Sequence, residues 1–224
     1  VSLGFGSAVK TELSANIYQV INQADRNMNQ DKLTKSRSSK NKFVKNLINT
    51  LGAKSNETKE HALRMTSLAF NLGDRLDLSH QKLNELNLLA TLHDIGKVTI
   101  SEKILNKAGK LSAEEWKIIK SHPAKGAAIA GSTEEFSSIA ELIRYHHERW
   151  DGSGYPDGLA GREIPLLSRI ITLVDSYDVM TNERPYKKAM SKKEAVNEIR
   201  RCAGSQFDPE LAAEFIRLLE EDDQ

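Results

Sequence analysis

The chain has 224 residues, 39% of them hydrophobic and 28% charged, with a net charge of +1. That length suits one large domain with an appendage, and the composition belongs to a globular chain rather than a disordered one. A charge so close to zero excludes binding DNA by bulk electrostatics, so an anionic ligand must be met by local charge.

Cys202 is the single cysteine, which rules out an internal disulfide and accords with a reducing, cytoplasmic setting. No apolar run approaches the length of a membrane span, and the N-terminus lacks a signal-peptide pattern. Because the first residue is Val1, the expectation is a piece of a longer protein that could carry a sensor or an anchor elsewhere.

The first expected element is a helix. From Leu13, the residues Ile17, Val20, Ala24 and Met28 recur at steps of four and three, a one-sided stripe. It is short for an independent coiled coil, yet it could pair with a copy of itself and give a homodimer. The basic stretch LTKSRSSKNK reads as a solvated linker, since it lacks the aromatics of a nucleic-acid arm. A second stripe, Phe43, Leu47, Ile48 and Leu51, closes at Gly52. Residues 1–52 are thus an N-terminal helical segment and linker, and residues 53–224 the main domain.

Beyond that boundary helical signals become dense. Asn56 can cap a helix carrying Leu63, Leu68, Leu72 and Leu76. Ser79 starts another through Leu83, Leu86, Leu89 and Leu92, stopping near Gly96. Ser112 and Glu115 form a capping box before Trp116, Ile118 and Ile119. Ser132 or Thr133 opens a helix that runs up to His146 and His147. After a loop rich in Gly and Pro, residues 165–180 predict an apolar helix with Pro165 near its start. Ser191 with Glu194, and Asp208-Pro209-Glu210, begin the last two. Strand-like alternation is nearly absent. The expected fold is all-α, a helical bundle with an added N-terminal helical segment.

Six histidines punctuate these helices. His80, in DLSHQ, reads as a helix-end residue. Glu57 precedes His61 by one helical turn, so both can aim at one point. Asp94 follows His93 directly, and Asp175 lies in an apolar helix where an unpaired carboxylate would be costly. Imidazoles and carboxylates on several helices of a bundle suit a cluster of divalent metals. Mixed nitrogen and oxygen donors favour Fe, Mn, Co, Ni or Zn over Ca or Mg.

The order of the motifs is more specific than any pair. ETKEH at 57–61, HDIGK at 93–97, HP at 122–123 and HHERWDGSGYP at 146–156 are followed by DSYDVMTNERPYK at 175–187. This pattern resembles the HD-GYP family, the branch of the HD phosphohydrolases that cuts cyclic dinucleotides. The resemblance runs from about Asn56 to Phe215 and includes FDPEL at 207–211.

Carried over position by position, it implies metal ligands at Glu57, His61, His93, Asp94, His122, His146, His147 and Asp175. Asp94 is the ligand expected to bridge two ions. With Glu57 present, the pattern is similar to that of members able to hold three. Iron or manganese is favoured, with nickel, cobalt and zinc as alternatives. Two metals roughly 3.5–4 Å apart can stabilise both the attacking and the leaving oxygen of a phosphodiester. Lys97 is implied near the scissile phosphate, although alone it would read as a solvated helix-end lysine. Arg184 and Lys187 are implied as grips on the ligand's phosphates, the first as a two-pronged fork. Tyr155 offers a ring for a purine to stack on, or simply packs on the bundle. Asp178, on the same helix face as Asp175, either orients a guanine edge or supports a metal ligand from behind.

The resemblance thus implies a metal-dependent phosphodiesterase acting on cyclic di-GMP, to the linear dinucleotide or on to GMP. The same chemistry on cyclic GMP–AMP stays open. So does a receptor with little turnover, or a module that recruits a cyclase partner through the GYP loop.

Overall fold

Helix follows helix through the described residues, 59–183 and 188–221 of the computed structural model, and no strand forms among them. All of them lie within the unit Ile48–Gln224. The N-terminal stripe with its expected self-pairing, the boundary after residue 52, Glu57, Arg184 and Lys187 lie outside the described residues.

Helix α1, Lys59–Arg75, turns His61, Met65, Ala69 and Leu72 inward. Steps of four and three keep these residues on one face. Leu63, expected on that stripe, falls off it and is 62% exposed. Helix α2, His80–Leu92, starts where Ser79 accepts a hydrogen bond from the Lys82 N–H, and it buries Leu83, Leu86, Leu89 and Leu92. It ends at His93, and a 3-10 turn, Ile95–Thr99, takes over.

That turn is pressed against the helix bearing His122. A Cβ on Gly96 would stand 1.9 Å from the His122 carbonyl oxygen and 2.7 Å from the Gly126 nitrogen. Glycine permits this approach because it has no side chain to clash. The contact sets Asp94, two residues before Gly96, beside the His122 ring.

A short helix α3, Glu102–Leu105, leads to α4, Ala113–Ile119. The expected capping box is present: the Ser112 side chain accepts from Glu115 N–H, and the Glu115 carboxylate accepts from Ser112 N–H. Helix α5, His122–Gly131, begins at once after Lys120 and Ser121. Helix α6, Ser137–Arg144, is shorter than expected at both ends. The Ser132 and Thr133 hydroxyls donate back to the Ile129 and Ala130 carbonyls, so they close α5 instead of opening α6. At the other end α6 stops at Arg144, and His146 and His147 occupy the turn beyond it.

Helix α7, Leu166–Thr181, is the most deeply buried, with Ile170, Ile171 and Val174 fully enclosed. It packs on α1, α2 and α6, and on the last two helices, α8, Lys192–Cys202, and α9, Pro209–Glu221. Both of these start as expected. Ser191 and Glu194 cap each other, and Asp208 Oδ1 accepts from the Glu210 N–H at 2.9 Å. The architecture is the all-α bundle. Among the described residues, no helix is long and apolar enough to cross a membrane.

Candidate metal centre

Seven expected donors meet in the middle of this bundle. His61 comes from α1, His93 and Asp94 from the end of α2, His122 from the first position of α5, His146 and His147 from the turn after α6, and Asp175 from α7. They form two groups: Asp94, His122, His146 and His147 in one, and His61, His93 and Asp175 in the other. Within each group the donor atoms lie within 4.8 Å of one another.

Local backbone geometry aims the rings. His93 Nδ1 is 3.1 Å from the Ala90 carbonyl, His122 Nδ1 is 2.8 Å from that of Ile119, and His146 Nδ1 is 2.6 Å from that of Ile143. Each partner is the carbonyl three residues back, at the end of a helical turn. A carbonyl can only accept, so Nδ1 carries the proton and Nε2 presents a lone pair. His61 is aimed differently, by Nδ1 donating 2.7 Å to Asp178 Oδ2.

The lone pairs converge. His122 Nε2 lies 3.2 Å from His146 Nε2 and 2.9 Å from Asp94 Oδ1, while His93 Nε2 lies 3.3 Å from Asp94 Oδ2. Asp94 therefore turns one oxygen to each group. His61 Nε2 is 3.8 Å from Asp175 Oδ1 on the far side of the second group. Bare nitrogens and carboxylate oxygens gathered in a buried space repel one another unless cations stand among them. Nitrogen and oxygen donors in this number fit divalent transition ions. The residues present therefore fit a metal cluster.

The electrostatics agree with that use. Burial pushes His146 down to about 4, against the pull of the Asp94 carboxylate, so the ring is neutral near pH 7 and able to ligate. Burial and the neighbouring His146 and His122 hold His147 well below its ordinary value. For Asp94, burial alone would raise the carboxyl. Lys97, His93 and the nearby His122 and His146 outweigh that and keep it well below the usual range. Lys97 Nζ donates to Asp94 Oδ2 at 2.6 Å, so its charge sits at the cluster.

Asp178 is 1% exposed and engages His61 and Arg64, the latter by two bonds of 2.6 and 3.0 Å. Of its two expected roles, these contacts match support of His61 from behind. Burial would raise its carboxyl, and the bonds from His61 and Arg64 reverse that and hold it low. Arg64 escaped sequence reasoning, and its one signal is its place three residues after His61.

A cavity of about 260 Å³ opens beside the donors, lined among others by His147, Tyr155, Asp175, Ser176 and Gln206. The half-buried Tyr155 ring leans on His147 with centroids 4.9 Å apart. Its loop is fixed by Glu148, a buried residue that sequence reasoning passed over. Glu148 Oε1 accepts from the Asp157 and Gly158 N–H groups at 2.7 and 3.0 Å. The signal was available, since Glu148 directly follows the histidine pair.

The HD domain family model matches residues 43–211. A Thermotoga maritima protein named cyclic di-GMP phosphodiesterase is 39% identical over 167 residues, covering 74% of this chain and 45% of that protein. A Vibrio cholerae protein named 3′3′-cGAMP-specific phosphodiesterase 2 is 35% identical over 177 residues, covering 78% of this chain and 34% of that one. The chain thus spans less than half the length of these curated relatives. A crystal structure of a cyclic GMP-AMP specific phosphodiesterase of V. cholerae shares the fold, with a TM-score of 0.62 at 24% identity over 81% of this chain and 49% of the other. The histidine–aspartate pair of residues 93 and 94, the histidine pair of residues 146 and 147 and the GYP loop surround one donor cluster, and with the family match they place the chain in the HD-domain family, in its HD-GYP branch.

Proposed function

We propose that this chain is a metal-dependent phosphodiesterase that opens cyclic di-GMP to the linear dinucleotide, with a further cut to GMP as the alternative end point. The observation that carries this reading is Asp94, which offers one oxygen to each of two donor groups in a buried pocket. The donor set favours iron or manganese, with nickel, cobalt and zinc as further fits, and Glu57 would serve a third ion. Bound divalent ions supply Lewis acidity toward the phosphodiester and a strong nucleophile at neutral pH.

The chain's own residues do the rest. The imidazoles and the two carboxylates, Asp94 and Asp175, would hold the cluster in a fixed frame. Lys97 brings positive charge to where negative charge grows on the phosphate. Arg184 and Lys187 grip the ligand's phosphates, and Tyr155 offers its ring at the cavity mouth. A second substrate, cyclic GMP–AMP, is favoured by the names of relatives on both sides at similar identity. The reading places the chain in the cytoplasm, with a cyclase docking at the GYP loop and a second copy pairing through the stripe from Leu13 to Met28.

The test is anaerobic reconstitution with ferrous iron or manganese, elemental analysis, and chromatography of products from each dinucleotide. At least two ions per chain and turnover of one dinucleotide are expected. Less than one ion per chain would remove the cluster, and binding without turnover would leave a receptor.

A further inference from the structure

Helix α4 ends at Ile119, and His122 enters the metal cluster three residues later. The exposed Lys120 between them is therefore held at the rim by the backbone of a metal-cluster residue. Its Nζ stands 5.3 Å from the centroid of the Tyr155 ring, which in turn leans on His147. One helical turn back, on the same face, Trp116 is 49% exposed. Ala113, Trp116, Lys117 and Lys120 line one hollow there.

The charges around the site single out these lysines. Lys97 pairs with Asp94, Arg64 with Asp178, Arg144 with Asp157 and Arg149 with Asp151. Among the described residues, Lys117 and Lys120 form no ion pair with any carboxylate. An exposed indole beside unpaired ammonium groups, linked to the cavity at the donors by the Lys120–Tyr155 contact, has the chemistry that stacks a base and neutralises a phosphate. A protein-docking surface is the competing occupant, but the cores of such surfaces are depleted in lysine.

We propose that Trp116, Lys117 and Lys120 form a subsite for the distal half of a cyclic dinucleotide. Trp116 stacks on the base remote from the metals, and the two lysines meet the phosphate that is not being cut. This rests on the phosphodiesterase reading above, because a ligand with two phosphates and two bases is what needs a second contact. The metal cluster accounts for one phosphate, and a net charge of +1 attracts the other only through local cations.

The experiment uses the 224-residue chain loaded with manganese. Cyclic di-GMP and cyclic GMP–AMP should quench tryptophan fluorescence, and Trp116→Phe should abolish most of that quench although Trp150 remains. Lys120→Glu and Trp116→Ala should each raise KM for the dinucleotide roughly tenfold to a hundredfold with kcat little changed. Metal content should be unaltered in both. So should hydrolysis of bis-nitrophenyl phosphate, which has one phosphate and no purine.

Wild-type KM in both variants would overturn the subsite and leave that face to a protein partner. A parallel fall on both substrates would overturn it too, since it would mean damage passed through His122. A wild-type chain that cuts neither substrate would refute the phosphodiesterase reading alone, and the Trp116 quench would still decide the subsite.

Discussion

The two donor groups of the metal centre are oriented by different means. In the group of Asp94, His122, His146 and His147, two rings are aimed by main-chain carbonyls of Ile119 and Ile143, and Asp94 is set by the Gly96 turn. In the group of His61, His93 and Asp175, His93 is likewise aimed by a carbonyl, that of Ala90, but His61 depends on a side chain, Asp178, which is held by Arg64. Exposure does not separate the donors, since each group has one half-buried member, His147 or Asp175, but the support behind His61 reaches the surface, with the Arg64 side chain 39% exposed. Backbone orientation can be broken only at the ligands or at the glycines that let the backbones meet. Side-chain orientation can be tuned from behind without touching a donor.

Asp94→Asn should erase the distinction, because that residue serves both groups. The amide keeps the shape and loses the charge that offsets two cations. Near-complete loss of turnover and loss of metal from both groups are expected by elemental analysis. A variant with full metal content would show that the groups fill independently. Gly96→Ala should come next and strike the backbone-oriented group. Its Cβ would overlap the His122 carbonyl, and a backbone atom cannot swing aside. Overpacking of this kind costs about 1–3 kcal/mol, and each kcal/mol lowers Tm by roughly 2–4 °C in a chain of this size. Gly109→Ala, where nothing lies within 4 Å, is the control and should leave Tm unmoved.

Legibility in the sequence follows the same division. The donors were visible because each sits in a local motif, as in HDIGK or the histidine pair, and folding only had to bring the motifs together. Helix starts at Ser79, Ser112 and Ser191 were visible because a cap bonds within three residues. The length of α6 was not, since Ser132 and Thr133 have the composition of an opening cap and their hydroxyls bonded backwards. The exposure of Leu63 was not, because a stripe of leucines does not say which flank meets the core. The Arg64–Asp178 pair joins residues 114 positions apart, and no local pattern announces such a contact.

Asp178→Asn sharpens the comparison most directly. It leaves every metal donor in place and weakens the support of His61 alone. One ion should bind roughly tenfold to a hundredfold more weakly while the other is retained, since supporting partners of ligating histidines carry effects of that size. Chelator titration of the loaded protein should then show two separated steps of metal release. A single unshifted step would mean that the backbone holds His61 without help.

The smallest effect belongs to Arg64, one contact further out. Its guanidinium grips Asp178 with Nε and Nη2, the fork geometry that makes arginine–carboxylate pairs strong. Yet its side chain is 39% exposed, and solvent screening reduces ion pairs of that exposure to about 0–1 kcal/mol. Arg64→Ala should therefore weaken the same ion only severalfold, roughly up to fivefold, and leave the Asp94 group alone. Arg64→Lys keeps the charge but loses the fork, so it should fall between the two. Chelator titration of both variants beside Asp178→Asn ranks the three. If Arg64→Ala matched Asp178→Asn, the fork rather than the carboxylate's charge would be what aims His61, and the second group would be oriented from the protein surface inward.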